Sequence, residues 1–201
     1  METVKSKQQN TVKPILEPKR FVLWLFIVSS IMAFGSFTSA YIVRQGQGNW
    51  FQISLPIPFL INCFTAIAGS AAMIWSYKLA KKDEIDRLKI ALGITFLISL
   101  VFIAIQIIGW NDLVKEGIYF STIGSDETQP SKISGSFLYV ISGLHLLHIV
   151  VASFYLLIIW VKSLQLKVHK MNLLGISMCA TFYHFTGIMW IYLYLFFKLY
   201  Q

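Results

Sequence analysis

Five runs of about 20 or more predominantly apolar residues constrain this chain more than any other feature. They are Phe21–Val43, Ile57–Ala80, Leu88–Trp110, Phe137–Val161 and Leu173–Phe197. A helix rises ~1.5 Å per residue, so about 20 such residues cross ~30 Å of hydrocarbon. Membrane strands would need only about ten residues in alternation, and these runs are too long for that. The expected fold is all-α, a polytopic membrane bundle of five transmembrane helices. Pro14, Pro18, Pro56, Pro58 and Pro130 all lie outside these runs or at their ends, where helices tolerate proline. Composition excludes the other classes. With 56% apolar and 13% charged residues, the chain is too apolar for a soluble domain of 23 kDa and too weakly charged for disorder.

The net charge of +8 is not a nucleic-acid footprint, because the basic residues fall between the apolar runs or at their ends. Their distribution instead sets an orientation. Lys5, Lys7, Lys13, Lys19 and Arg20 precede the first run. Lys78, Lys81, Lys82, Arg87 and Lys89 surround the second connection, and Lys162, Lys167 and Lys170 fall in the fourth. Arg44, Lys115, Lys132 and Lys198 remain for the opposite side. The positive-inside bias places the N-terminus in the cytoplasm and the C-terminus outside. Residues 1–20 then form a polar, basic cytoplasmic tail, and 21–201 the membrane domain. The tail is followed by a run too long for a signal-peptide core, so no signal peptide is expected. Only the third connection, Asn111–Ser136, is long. It reads as an outside loop with an amphipathic start near Leu113–Phe120.

Every Asp and Glu lies outside the five runs, and no Lys or Arg sits in a run's interior. Ion pumps and proton relays keep ionisable groups at membrane depth despite their cost, so this chain alone is a poor proton channel. Only histidines occur at depth. His145 and His148 are three residues apart and share a helical face, while His184 lies near the middle of the fifth run. His169 sits in a basic connection and reads as solvated. The three membrane imidazoles admit three readings: packing residues with satisfied N–H groups, axial haem ligands from two helices, or copper or zinc ligands. No carboxylate is available at that depth as a partner to metal-bound imidazole. Cys63 and Cys179 have no metal-ligand spacing and read as buried thiols.

Ser29, Ser30, Ser36, Thr38, Ser39, Asn62, Thr65 and Gln106 can hold a bundle through interhelical hydrogen bonds of ~0.6–2 kcal/mol each. Nothing in the sequence pairs one of these serines with a histidine, as a nucleophile would require. Gly35 with Ser39, Ser36 with Ala40, and the stretch Ala66–Ala72 mark places where backbones can approach, within the chain or toward a neighbouring subunit. Trp24, Trp50, Trp75 and Trp160 lie at or near run ends and read as interfacial anchors.

Several segments, in order, resemble subunit III of the haem–copper oxidases. FIVSSIMAFGSFTSAYIV at Phe26–Val43 is similar to that family's first shared span. FLISLVFIAIQIIGW at Phe96–Trp110 carries Gln106 and Trp110 at the family's Q-x-x-x-W spacing. GSFLYVISGLHLLHIV at Gly135–Val150 resembles the aromatic-x-x-T-G-x-H-x-x-H segment, with Tyr139 as the aromatic and Ser142 for the threonine. YHFTGIMW at Tyr183–Trp190 resembles the W-H-F-x-x-x-x-W stretch of the last span, with Tyr183 for its first tryptophan.

The resemblance implies the five-span form of subunit III. Its role is a non-catalytic accessory subunit of a bacterial respiratory terminal oxidase, most similar to the cytochrome c oxidase type, in the cytoplasmic (inner) membrane. It implies packing on the large haem–copper subunit I, lipid binding, and support of stability and proton uptake. Haem and copper belong to the partner, and no catalytic, cofactor or metal residue is expected here. Positions implied as lipid or subunit contacts are Gln106, Trp110, His145, His148, His184 and Trp190. Ser30 and Gly187 stand where relatives carry acids, so nothing those acids do transfers. The same role in a ubiquinol oxidase or nitric-oxide reductase keeps the fold and changes the partner. A haem-b anchor using His145 or His148 with His184 is the alternative of another class. A transporter would want an internal repeat and broken helices, and neither is evident.

Overall fold

The computed structural model describes residues 17–48, 50–120, 130–165 and 173–200, with the side chains of 130–132 excepted. These residues form five helices: α1 Pro18–Gly46, α2 Ile57–Lys82, α3 Ile85–Lys115, α4 Pro130–Leu164 and α5 Leu174–Leu199. All five are long and apolar enough to cross a membrane, and the described residues contain no strand. The chain is a multi-pass membrane protein.

Each helix runs past the apolar stretch that announced it, because polar end residues continue the hydrogen-bond ladder into the interface. Pro18 opens α1 at its first position, where a missing N–H costs nothing. α1 thus begins at Pro18, ahead of the first apolar run. Asp83 ends α2 in the left-handed region at φ 61°, a conformation that Asp tolerates better than most side chains. Its neighbour's N–H, Glu84 N, closes back on Leu79 O at 3.2 Å. Gly117, at φ 79°, ends α3 in the same way, and Ile118 N reaches Leu113 O at 3.0 Å. Leu113 and Ile118 are both buried, so the expected amphipathic start of the third connection is the last turn of α3 and its cap. Asp126, Glu127, Lys167 and His169 lie outside the described residues.

Helices α2, α3, α4 and α5 form a closed ring in that order, with α5 returning to α2. α1 touches only α4 and α5 and lies outside the ring. Two apolar clusters fill the bundle. One gathers Tyr41, Ile53, Phe59, Leu113, Leu138, Trp190 and Phe197. The other gathers Ile27, Met73, Leu88, Leu92, Leu156, Ile176 and Cys179. Buried polar side chains, among them Ser30, Ser99, His145, His148 and Thr186, lie near their junction.

Small residues are used unequally. On α2, a Cβ at Gly69 would collide with the Tyr183 hydroxyl, so the tyrosine of α5 fits only because position 69 has no side chain. Gly187 packs against α2 less tightly, with Ser70 Oγ 3.2 Å and Ala66 O 3.7 Å from where its Cβ would stand. On α1, nothing lies within 4 Å of a Cβ at Gly35, and Ser36, Ser39 and Ala40 are exposed. The α2 stretch is spent inside the chain, and the α1 stripe is not.

Candidate functional site

Each interface of the ring carries at least one polar cross-link, and most use residues singled out by sequence. Between α2 and α3, Asn62 Nδ2 donates to Gln106 Oε1 at 2.9 Å, with both side chains buried. Between α3 and α4, Trp110 Nε1 donates to Ser142 Oγ at 3.1 Å, and Ser142 in turn donates to Leu138 O. Between α4 and α5, His145 Nε2 donates to Thr186 O at 3.0 Å. Between α5 and α2, Trp190 Nε1 donates to Phe59 O at 3.3 Å. Tyr139 adds a hydroxyl bond to Ile118 O at 3.0 Å. In hydrocarbon an unpaired polar group has no water to turn to, so each link fixes both the rotation and the depth of the helices it joins.

His148 joins α1 to the ring. Leu144 O can only accept, so His148 Nδ1, 2.8 Å away, carries the proton. In the neutral ring Nε2 is then an acceptor, and the Ser30 hydroxyl, 3.1 Å away, donates to it. Phe26 O, at 2.8 Å, is the alternative acceptor for that hydroxyl. This corrects the expectation that no serine is matched with a histidine. The partners are 118 residues apart in sequence, and only the docking of α1 reveals them. The pair is not a nucleophile and its base. The other ring nitrogen is held by a backbone carbonyl, no carboxylate among the described residues bonds to either group, and both side chains are buried at a helix interface. Ser30 therefore serves as a helix-to-helix hydrogen bond.

The histidines do not converge. His145 packs on Trp190, with ring centroids 5.0 Å apart, and on Phe102 and Phe34. His148 packs on Phe34 and Phe26. His184 lines a groove between α2 and α5 together with Lys78, Lys81, Ser177 and Thr181. Phe182, two residues earlier, touches Phe26 of α1. Two residues turn a helix by about 200°, so His184 opens away from the α1 side that holds His148. Among the described residues no three or more His, Cys, Asp or Glu side chains gather as metal ligands would. Cys63 and Cys179 are separate buried thiols.

Of the four tryptophans expected as interfacial anchors, Trp24 and Trp75 are exposed. Trp50 and Trp160 turn inward. Trp50 meets the edge of Tyr41, and Trp160 donates to Lys89 O at 3.0 Å while stacking on Phe96. Sequence reasoning missed Thr186, whose carbonyl fixes His145, because backbone acceptors carry no sequence signal. It also missed the groove around His184, although Ser177, Thr181 and His184 recur at one-face helical spacing.

The family model described as cytochrome c oxidase subunit III matches residues 3–201. Cytochrome c oxidase subunit 3 of Homo sapiens is 25% identical over 199 residues, covering 93% of this chain and 71% of that protein. The subunit 3 proteins of Petromyzon marinus, 25% identical over 90% of this chain and 69% of that protein, and of Rattus norvegicus, 23% identical over 87% and 67%, are also similar. Matched along almost its whole length, this accessory, non-catalytic chain belongs to the cytochrome c oxidase subunit III family.

Proposed function

We propose that the chain packs on the large haem–copper subunit I of a respiratory terminal oxidase in a bacterial cytoplasmic membrane. In that setting residues 1–20 face the cytoplasm, the C-terminus faces outside, and haem and copper reside in the partner. The chain preserves turnover and proton uptake by holding a rigid, lipid-bearing wall beside the catalytic subunit. One observation carries this reading: Gln106, Trp110, His145, His148 and Trp190 each spend a polar atom on another segment of this chain or on their own helix. Gln106, His145, His148 and Trp190 act from within the bundle. Trp110 and His184, only partly buried, are the two that contact lipid or a neighbouring subunit.

Purification of a tagged chain from native membranes in mild detergent, with mass spectrometry of what accompanies it, tests the proposal. Recovery of a large, histidine-rich haem–copper subunit in equal amount is the expected result, and the donor that reduces it separates cytochrome c from quinol oxidases. Recovery of the chain alone, or with a soluble dehydrogenase, overturns it.

A further inference from the structure

The groove between α2 and α5 carries two lysines and a histidine where a membrane helix facing lipid should be apolar throughout. It encloses about 400 Å³ and is lined by Ile74, Tyr77, Lys78, Lys81, Ser177, Ala180, Thr181 and His184. Lys78 and Lys81 are exposed at the α2 end, and Lys81 Nζ rides 4.8 Å above the Tyr77 ring. The ion pairs seen among the described residues, Arg20–Glu17, Arg87–Glu84, Lys89–Asp86 and Lys115–Asp112, use neither lysine. On α5, Thr181 already donates its hydroxyl to Ser177 O at 3.0 Å, leaving its oxygen as an acceptor. His184 is the deepest polar group of the groove.

The vertical order of these groups is informative. From Ser177 to His184 the α5 face climbs about 10 Å, and beyond His184 the exposed surface becomes apolar at Ile188 and Leu195. Opposite, α2 passes from Lys81 and Lys78 to the exposed Ile74 and Ile67. Cations at the mouth, a donor one or two turns deeper, and apolar walls beyond reproduce the sequence of phosphate, ester and acyl chain in one phospholipid. A partner helix would instead have to bring carboxylates to the lysines and keep a polar face down to His184. Basic pockets between helices at the membrane surface favour anionic headgroups in general.

We infer that this groove binds one anionic glycerophospholipid. Lys78 and Lys81 hold its phosphate, and His184 donates to an ester carbonyl. The inference deepens the reading of His184 as a lipid contact and rests on it. The accessory role is tested separately by co-purification and survives failure here.

The test is native mass spectrometry of the full chain in mild detergent, titrated with dioleoyl phosphatidylglycerol or dioleoyl phosphatidylcholine. Retention of one phosphatidylglycerol at least about ten-fold more readily than phosphatidylcholine is expected, since each lysine contributes about five-fold. Lys78→Ser with Lys81→Ser should remove about twenty-five-fold of that affinity, while Lys115→Ser should leave it unchanged. Equal retention of the two lipids by the unaltered chain overturns the inference without recourse to any variant. So does a double variant that still prefers phosphatidylglycerol. In native membranes, a benzophenone side chain in place of Thr181 should crosslink to phospholipid, and a crosslink to another protein chain would show that a partner helix fills the groove.

Discussion

α1 and α5 are both apolar helices of spanning length, yet they occupy opposite positions in the bundle. Half of the apolar 18-residue stretch of α5 is buried, against 22% of that of α1. Both are apolar enough to cross a membrane, so apolarity does not explain the difference. Lipid is as apolar as a leucine side chain, so apolarity decides only that a helix enters the membrane. Burial is decided by small residues and by groups that need a partner. α5 has Gly187, Tyr183, Thr186 and Trp190, each seated against another helix. α1 reaches the ring through Ser30 and through Thr38, whose Oγ1 lies 3.2 Å from the Tyr192 hydroxyl.

That contrast is broken most severely by Trp190→Ala. The ring of Trp190 is fully buried between Phe59, Phe102 and His145, so its loss should cost about 3–5 kcal/mol. The expected result is little folded chain in detergent and a failure to assemble, read by size-exclusion chromatography and thermal unfolding. Gln106→Leu should cost about 1–2 kcal/mol, because Asn62 then keeps a donor with no acceptor in the α2–α3 interface. Asn62→Leu on the same background should recover part of that loss. Simple additivity of the two would show that the pair is not coupled.

The α1 attachment should give the smallest effect. Ser30→Ala and Thr38→Val should each cost roughly 0.6 kcal/mol, and the ring should unfold at an unchanged temperature. Only α1 should loosen, seen as faster hydrogen exchange of its backbone amides. An equal fall in the unfolding temperature of the whole bundle would mean that α1 is integral to the ring, and the comparison with α5 would fail. Gly187→Ala sharpens the α5 side of the comparison. Its Cβ would meet Ser70 Oγ at 3.2 Å, a neighbour that can rotate, so the loss should stay below about 1.5 kcal/mol. A glutamate there would have to force α2 and α5 apart.

Much of the site was legible as residues and little of it as pairs. Gln106, Trp110, His145, His148 and Trp190 stood out because polar or large aromatic groups at membrane depth need a reason. Their pairings did not stand out. Asn62 meets Gln106 only when α2 and α3 lie at one relative depth, and Thr186 contributes a carbonyl that every residue has. Ser30 was singled out for what it replaces, and the helix packing shows what it does. The groove at His184 was missed although its α5 face was written at helical spacing, because its lysines come from a helix about a hundred residues earlier.

The sequence by itself determined that five helices cross a membrane, where they begin to within a few residues in most cases, and that the chain belongs to this family. Those facts follow from transfer into lipid, a property each segment has alone. Tertiary structure decided which four helices close the ring, which one lies outside it, and that His184 turns away from the side that holds His148. These depend on rotation and register between helices, which hydrophobicity leaves free and which hydrogen bonds and close-packed glycines fix.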